Sequence, residues 1–331
     1  MRISLQEMSA KFEQVLLNKG FKPELAAINA KLFAENSLDG IYTHGLNRFP
    51  RTIEYIDNGW IEINAVPEKI SGMGAFEQWD GKRGIGPSNA KLCMDRAIEL
   101  AKTHGIGLVA LQNTTHWMRG GAYGLQAADA GCIGICFTNT IPNMPPWGAT
   151  DNRIGNNPFV ISIPRDGGHV MLDMAMSQFS FGAIEKLAKE GKSLPVPGGF
   201  DTNGEISTNP AEIWETQRPL PIGFWKGSGM SIVLDMLASG LSGGNSVYDL
   251  SKLPAEFAIS QFFLAIDASG IVRESIEKSV DETIAYIKAA NKADGINEIY
   301  YPNEMSYATR EDNLKNGIPV DEDYWNTVKA Y

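Results

Sequence analysis

The stretch richest in chemistry is Tyr42-Thr43-His44-Gly45-Leu46-Asn47-Arg48-Phe49-Pro50-Arg51, which sets an imidazole and a guanidinium beside a glycine and a proline. On a helical backbone His44 and Arg48, four residues apart, would share one face and reach one small ligand. A 2-oxo acid suits such a pair. The guanidinium fork fits a carboxylate bidentately, and a histidine with a reference pKa of about 6.5 gives or takes a proton near neutrality. The decapeptide alone leaves a second reading open, a capped helix end with both side chains solvated.

His116 is the next acid/base candidate. It lies in the polar run Asn113 to Gly121, directly after the apolar segment Ile106 to Leu111, and catalytic groups are often held where a buried strand ends. A hydrogen-bonded loop histidine is the alternative. Thr138-Asn139-Thr140 closes another apolar segment with small polar groups that suit a carboxamide. Asp173, in the segment Val170 to Met174, is placed either to accept from ribose hydroxyls or in a surface turn. The strongest phosphate signal is Trp225-Lys226-Gly227-Ser228-Gly229-Met230: small residues admit an anion to backbone N–H groups, a helix starting near Ser228 adds its positive end, and Lys226 adds a charge. A plain N-cap with a surface lysine competes with it.

The elements that must position these groups follow from periodicity. Leu5, Met8, Phe12, Val15 and Leu16 mark an amphipathic helix within residues 3–20. Leu25, Ile28, Leu32 and Phe33 mark a second after Pro23, and a third runs from Phe49 to Asp57. Phe76 to Asp80 reads as a strand, and a helix runs to about His104-Gly105. Strands follow at Ile106 to Leu111, Ile133 to Asn139, Phe159 to Ile163 and Val170 to Met174, with a helix between the first two from Ala122 to Ala130. Glu185 to Gly191 reads as a short helix and Val196 to Pro210 as a surface loop. In the helix after Lys226, Met230, Val233, Leu234, Leu237 and Leu241 are expected as the buried stripe. A strand at Ser260 to Ile266 precedes a helix, Val272 to Asn291, whose Ile276, Val280, Ile284 and Ile287 are expected to face the core. The divisions drawn are a helical region 1–72 carrying His44 and Arg48, a mixed-sheet core 73–250, and a strand with helices, 251–331, packing back on it.

Gly81, Gly84 and Gly86 give G-x-x-G-x-G, which is not the G-x-G-x-x-G dinucleotide fingerprint, and no buried strand of the needed length precedes them. Cys93, Cys132 and Cys136 are expected to be reduced and buried, and no Cys or His stands at metal-ligand spacing. A net charge of −10 disfavours nucleic acid, because the phosphate backbone requires a clustered basic surface. The apolar fraction of 43% is ordinary, no run of about 20 apolar residues spans a membrane, and the amino terminus does not read as a signal peptide. A cytoplasmic, ordered protein is predicted.

The succession THGLNRFPR, HWMRGGAYG, RIGNNP, LDMAMS and KGSGMSIVLDMLASGLSG, spread over nearly all the chain, resembles the type-2 malate/L-lactate dehydrogenase family of NAD(P)H-dependent oxidoreductases. NRFPR, GGAYG, MPPWGA and PIGFWKGSGMSIVLDM resemble its branch acting on 2,3-diketo-L-gulonate. The resemblance implies an α/β fold with a mixed sheet flanked by helices, distinct from a Rossmann unit, and a homodimer with its site near the interface. Phe49, Trp117, Trp147 and Phe224 are expected to close that shared cleft. By matching position, His44 would protonate the carbonyl oxygen, Arg48 would clamp the substrate carboxylate, and His116 matches the acid/base histidine of other branches. Thr140, His169, Val170, Met171, Leu172, Asp173, Met174, Ala175, Trp225, Lys226, Asn303 and Glu304 would hold NAD(H) or NADP(H). One departure is Pro302-Asn303-Glu304, where relatives carry Pro-Gly before the acidic residue. The implied reaction is reduction at C2 of a 2-oxo sugar acid. Malate, L-lactate, ureidoglycolate and imino-acid dehydrogenases are the alternatives within the family, and a sugar-acid binding protein is the alternative outside it.

Overall fold

The computed structural model describes residues 1–270 and 272–331. The chain opens with β1 (Arg2–Ile3), α1 (Leu5–Asn18) and α2 (Pro23–Leu38), then two single 3₁₀ turns, Tyr42–His44 and Leu46–Arg48, and α3 (Phe49–Asp57). Ser4 caps α1 by accepting from the Glu7 N–H, and Pro23 opens α2 where its missing N–H costs nothing. Phe12, Phe33 and Phe49, one from each helix, are fully buried against one another, with Phe12 stacked on Phe49 at 4.2 Å and Phe33 edge-on to Phe49 at 5.1 Å. Each such burial contributes about 1.5–3 kcal/mol, and Phe49 fixes the position of its neighbour Arg48.

The helical face expected to carry His44 and Arg48 does not form. Gly45, at φ −111° and ψ −118°, separates the two 3₁₀ turns. The reason is close packing: a Cβ at residue 45 would overlap Ser37 Oγ and lie 2.9 Å from the Phe33 carbonyl oxygen. The last turn of α2 then holds the segment directly. Asn36 donates to the His44 carbonyl at 3.0 Å, and the Leu46 N–H donates to Ser37 Oγ at 2.9 Å.

The core continues through β2 (Glu68–Met73), β3 (Phe76–Asp80), α4 (Gly86–His104), β4 (Ile106–Thr115), α5 (Gly121–Asp129), β5 (Cys132–Thr138), β6 (Phe159–Ile163) and β7 (Val170–Met174). A small excursion carries α6 (Phe181–Lys189), the short pair β8 (Gly199–Phe200) and β9 (Ile206–Ser207), and α7 (Pro210–Thr216). After it come α8 (Trp225–Ser242), α9 (Val247–Leu250), β10 (Phe257–Asp267), α10 (Arg273–Lys288), α11 (Glu304–Asn316), β11 (Ile318–Pro319) and α12 (Glu322–Ala330). Seven strands form one mixed sheet in the order β2-β3-β4-β10-β5-β6-β7, parallel only between β3 and β4. Alternation splits its two faces. Val109, Leu111 and Phe263 pack with Met94 and Ala97 of α4 and Tyr123 of α5, while Phe137 and Phe262 pack with Leu234 and Ala238 of α8. The three cysteines are free and buried.

Several expectations need correction. β4 runs on to Thr115, past the expected end at Leu111, with Asn113 at φ +55° and register shifts against β10; the polar loop is therefore shorter and His116 follows the strand immediately. The edge strand β2, which spans the expected division at residue 72, has no buried residue and so carries no apolar signal. Within the stretch read as a surface loop, β8 and β9 form a short hairpin and Phe200 is buried. α8 starts at Trp225 rather than near Ser228, and Met230, Val233 and Leu237 are exposed; Ser228, Ser231, Leu234, Asp235 and Ala238 face inward. α10 has no buried residue, with Ile287 exposed and Ile276, Val280 and Ile284 only partly covered. Phe49 and Trp117 lie in the subunit core and cannot line a shared cleft, whereas Trp147 and Phe224 are exposed and pack on each other at 5.0 Å.

Gly45→Ala is expected to lower stability by about 1–3 kcal/mol through overpacking against α2, read as a lower urea midpoint at unchanged slope. An unchanged midpoint would show that this backbone does not rest on Ser37 and Phe33.

Candidate active site

Two elements bring the histidines together. His44 ends the first 3₁₀ turn after α2 and His116 follows β4, and their rings stack at 5.7 Å with 19° between planes. The turn after His116 places Met118 at φ +67°, and the Met118 N–H donates to His116 Nδ1 at 2.9 Å. A backbone N–H can only donate, so Nδ1 keeps its lone pair and the proton of the neutral ring sits on Nε2. The glycine-rich run buttresses the same point from below. A Cβ at Gly86 would overlap the His116 carbonyl, the Gly86 N–H donates to Thr115 Oγ1 at 2.9 Å, and Thr115 Oγ1 donates to the Gly84 carbonyl at 3.0 Å. These glycines serve close backbone approach.

Arg48 and Arg51 line a small niche with His116, Thr115 and Tyr55. Glu256, immediately before β10, is buried, with Oε1 4.0 Å from Arg48 Nη2 and 3.9 Å from His116 Nε2. Burial pushes the Glu256 carboxyl above its usual range, against the pull of Arg48, Arg51 and the Ile141 N–H. Burial first, then the charges of Arg48 and Arg119, lowers His44 to about 4. Burial, Arg48, His44 and Arg51 hold His116 well below its ordinary value. Both rings are thus neutral at pH 7 in the ligand-free site. His44 Nδ1 stands 3.2 Å from Thr43 Oγ1, a group that can either donate or accept, so this ring, unlike His116, is free to carry a second proton.

A separate cavity of about 850 Å³, lined by neither histidine nor by Arg48, is tied to the pair through Asn36 and Arg119. Asn36, whose side chain holds the His44 carbonyl, lines it, as do Asp39 and Arg119. Arg119 is 4% exposed and is ion-paired with Asp39, which also binds Arg310 at 2.6 Å; Arg119 reaches Asn303 Oδ1 at 3.4 Å. His169 lines the same cavity, held by the Arg165 N–H, by Asp129 and by the Tyr307 hydroxyl. The size suits a dinucleotide-scale ligand, and the lining is of mixed charge, with Lys91, Arg165 and Arg310 beside Glu35, Asp129 and Asp166. Asn303 adopts φ +78°. Asn is the side chain that best tolerates the conformation glycine would take there, so the departure at Pro302-Asn303-Glu304 leaves the backbone path intact.

Other sequence candidates have definite partners. Asp173 accepts the Gly121 N–H at the start of α5 (2.8 Å), and Glu304 pairs with Lys288 and accepts from the Tyr301 N–H. Within β7, Met171 donates from its N–H to the Pro302 carbonyl at 3.2 Å, which ties Val170, Leu172, Met174 and the following Ala175 to the Asn303 segment. The Thr140 N–H donates to Asn157 Oδ1, while Asn139 donates to Asp235 and to the Asn245 carbonyl, so neither amide side chain is idle. Trp225 and Lys226 sit exposed at the start of α8 and do not line the cavity. Asp39, Arg119 and Glu256 were missed by sequence reasoning. Arg119 stood inside the HWMRGG motif, and that was the one signal available.

The sequence profile described as malate/L-lactate dehydrogenase matches residues 3–329. The chain is 45% identical over 332 residues, the full length of both proteins, to the 2,3-diketo-L-gulonate reductase of Escherichia coli K12. Among solved structures it is similar to a malate dehydrogenase from Entamoeba histolytica (28% identity, TM-score 0.93, covering 100% of this chain and 96% of that one). It is also similar to the sulfolactate dehydrogenase of Methanocaldococcus jannaschii (28% identity, TM-score 0.91, covering 100% and 96%). The profile match over nearly the whole chain and the 45% full-length identity show that the chain belongs to the malate/L-lactate dehydrogenase family and is an oxidoreductase.

Proposed function

We propose that the protein reduces the C2 carbonyl of 2,3-diketo-L-gulonate, or a close 2-oxo sugar acid, with NADH or NADPH. The observation that carries this reading is the convergence of two stacked histidines and Arg48, with a large cavity of mixed-charge lining tied to them through Asn36 and Arg119; full-length similarity to curated reductases of that substrate supports it. His169, Asn303, Arg119 and Arg310 would hold the dinucleotide, whose reduced nicotinamide would supply the hydride.

Arg48 grips the substrate carboxylate, orienting the C2 carbonyl towards the two rings. His116, fixed with its proton on Nε2, offers an uncharged hydrogen bond to that oxygen. His44 delivers the proton. Burial is the largest cause of the lowered His44 pKa and the Arg48 charge the next; the substrate carboxylate offsets the Arg48 part, so the ring regains some affinity for a proton when the acceptor arrives. Among the described residues no helix is long and apolar enough to cross a membrane.

A homodimer completes this reading. Trp225, Met230, Val233, Met236 and Leu237 lie 42–66% exposed along α8, and Gly229 among them and Gly240 just beyond have open space where a Cβ would go. So large an apolar face is uncommon on a monomer, and a two-fold pairing would cover it on both copies.

Three measurements test these points. With NADH and 2,3-diketo-L-gulonate, absorbance at 340 nm is expected to fall, and His44→Gln to slow turnover by about 10²–10⁴ at near-normal cofactor affinity; an active His44→Gln with an inactive His116→Gln would exchange their roles. NMR titration of the ligand-free protein should place His44 near 4 and Arg48→Met should move it upward; a value of 6.5 in both would remove the electrostatic account. Because the folded value lies below the unfolded one, the neutral ring contributes stability that is complete above pH 6.5 and lost as pH falls towards 4. Finally, sedimentation should show a dimer, split by Met236→Arg into a 36.1 kDa species; a monomeric wild-type enzyme with full activity would exclude the shared face.

A further inference from the structure

Glu256 has no role in the reaction so far described. It is 6% exposed, and among the described residues its buried Oε1 has no hydrogen-bond partner. That oxygen stands 4.0 Å from Arg48 Nη2 and 3.9 Å from His116 Nε2. Both separations exceed hydrogen-bond reach. The oxygen therefore borders the narrow gap between Arg48, the group that holds the substrate carboxylate, and the His116 ring, two of the side chains that line the niche.

A buried carboxylate oxygen without a donor is costly, and a site built around one discriminates strongly in favour of a ligand that supplies the donor. The gap rejects a second carboxylate or a bare carbonyl, whose lone pairs would oppose it. A methyl group leaves Oε1 unpaired. An O–H on the carbon next to C2 is the group that satisfies it, since C3 is bonded to the same carbon as the carboxylate on Arg48 and the oxygen on His116.

We propose that Glu256 Oε1 accepts a hydrogen bond from a hydroxyl on C3 of the substrate, making it the residue that selects hydroxylated 2-oxo acids over simple ones. In a 2,3-dioxo acid the donor comes from the hydrated C3 carbonyl. The gem-diol has two O–H groups and no carbonyl left to reduce, so the same contact directs hydride to C2. This inference rests on the reductase reading given above.

Hydroxypyruvate and pyruvate differ by that one hydroxyl. With NADH, the wild-type enzyme is expected to show kcat/KM at least about 10-fold higher for hydroxypyruvate. Glu256→Met should cut that ratio by about 10- to 100-fold, and Glu256→Gln, which retains a weaker neutral hydrogen bond, should fall between. A wild-type enzyme that prefers pyruvate overturns the proposal without recourse to any variant. Equal losses with both compounds overturn it too and make Glu256 a positioning residue for Arg48 and His116. NADH left unconsumed with both compounds and with 2,3-diketo-L-gulonate overturns the reductase reading itself, and this inference with it.

Discussion

The site depends on one carboxylate. Asp39, at the end of α2, is held between Arg119 and Arg310, and so joins the turn that carries His44, the turn that carries His116, and the helix α11 from the far end of the chain. Buried ion pairs add little net stability over apolar packing, but breaking one strands an uncompensated charge. Here the gain is geometric: three segments remote in sequence are locked into the arrangement that stacks the two rings.

The same network sets the electrostatics. His44 sits beside Arg48 and Arg119 and His116 beside Arg48 and Arg51, with Glu256 the carboxylate facing Arg48 and His116. A ligand-free site of this kind carries a positive field that favours an anionic substrate and disfavours imidazolium. The two stacked histidines are nonetheless unlike. One has a ring nitrogen tied to a backbone donor; the other stands beside a hydroxyl that adapts to either state.

Much of the fold was legible because buried segments announce themselves. β3, β6, β7 and α3 fall at their expected bounds, and α4 ends at the predicted Gly105, which takes φ +83°. What the sequence hid has physical causes. β2 is exposed on every residue and looks like a loop. Of the apolar stripe of α8, Leu234 faces inward while Met230, Val233 and Leu237 point outward, since periodicity reveals an apolar face without saying what covers it. His44, Arg48 and His116 were legible from residue type and motif. Glu256 and Asp39 were not, because a lone acid carries no spacing signal and acquires meaning only from tertiary neighbours.

The strand order of the sheet has a consequence for biosynthesis. β10 lies between β4 and β5, its hydrogen-bonded neighbours, yet it is the last of the seven to leave the ribosome. Until Phe257–Asp267 emerges, β4 and β5 each present an unpaired edge, and the sheet exists as two halves with nothing to join them. Closure must wait for contacts spanning more than a hundred residues, the kind that fold slowly and leave sticky intermediates. The nascent chain is therefore most exposed to aggregation and chaperone capture when nearly complete, and a transcript truncated just before β10 would yield a product with two open edges.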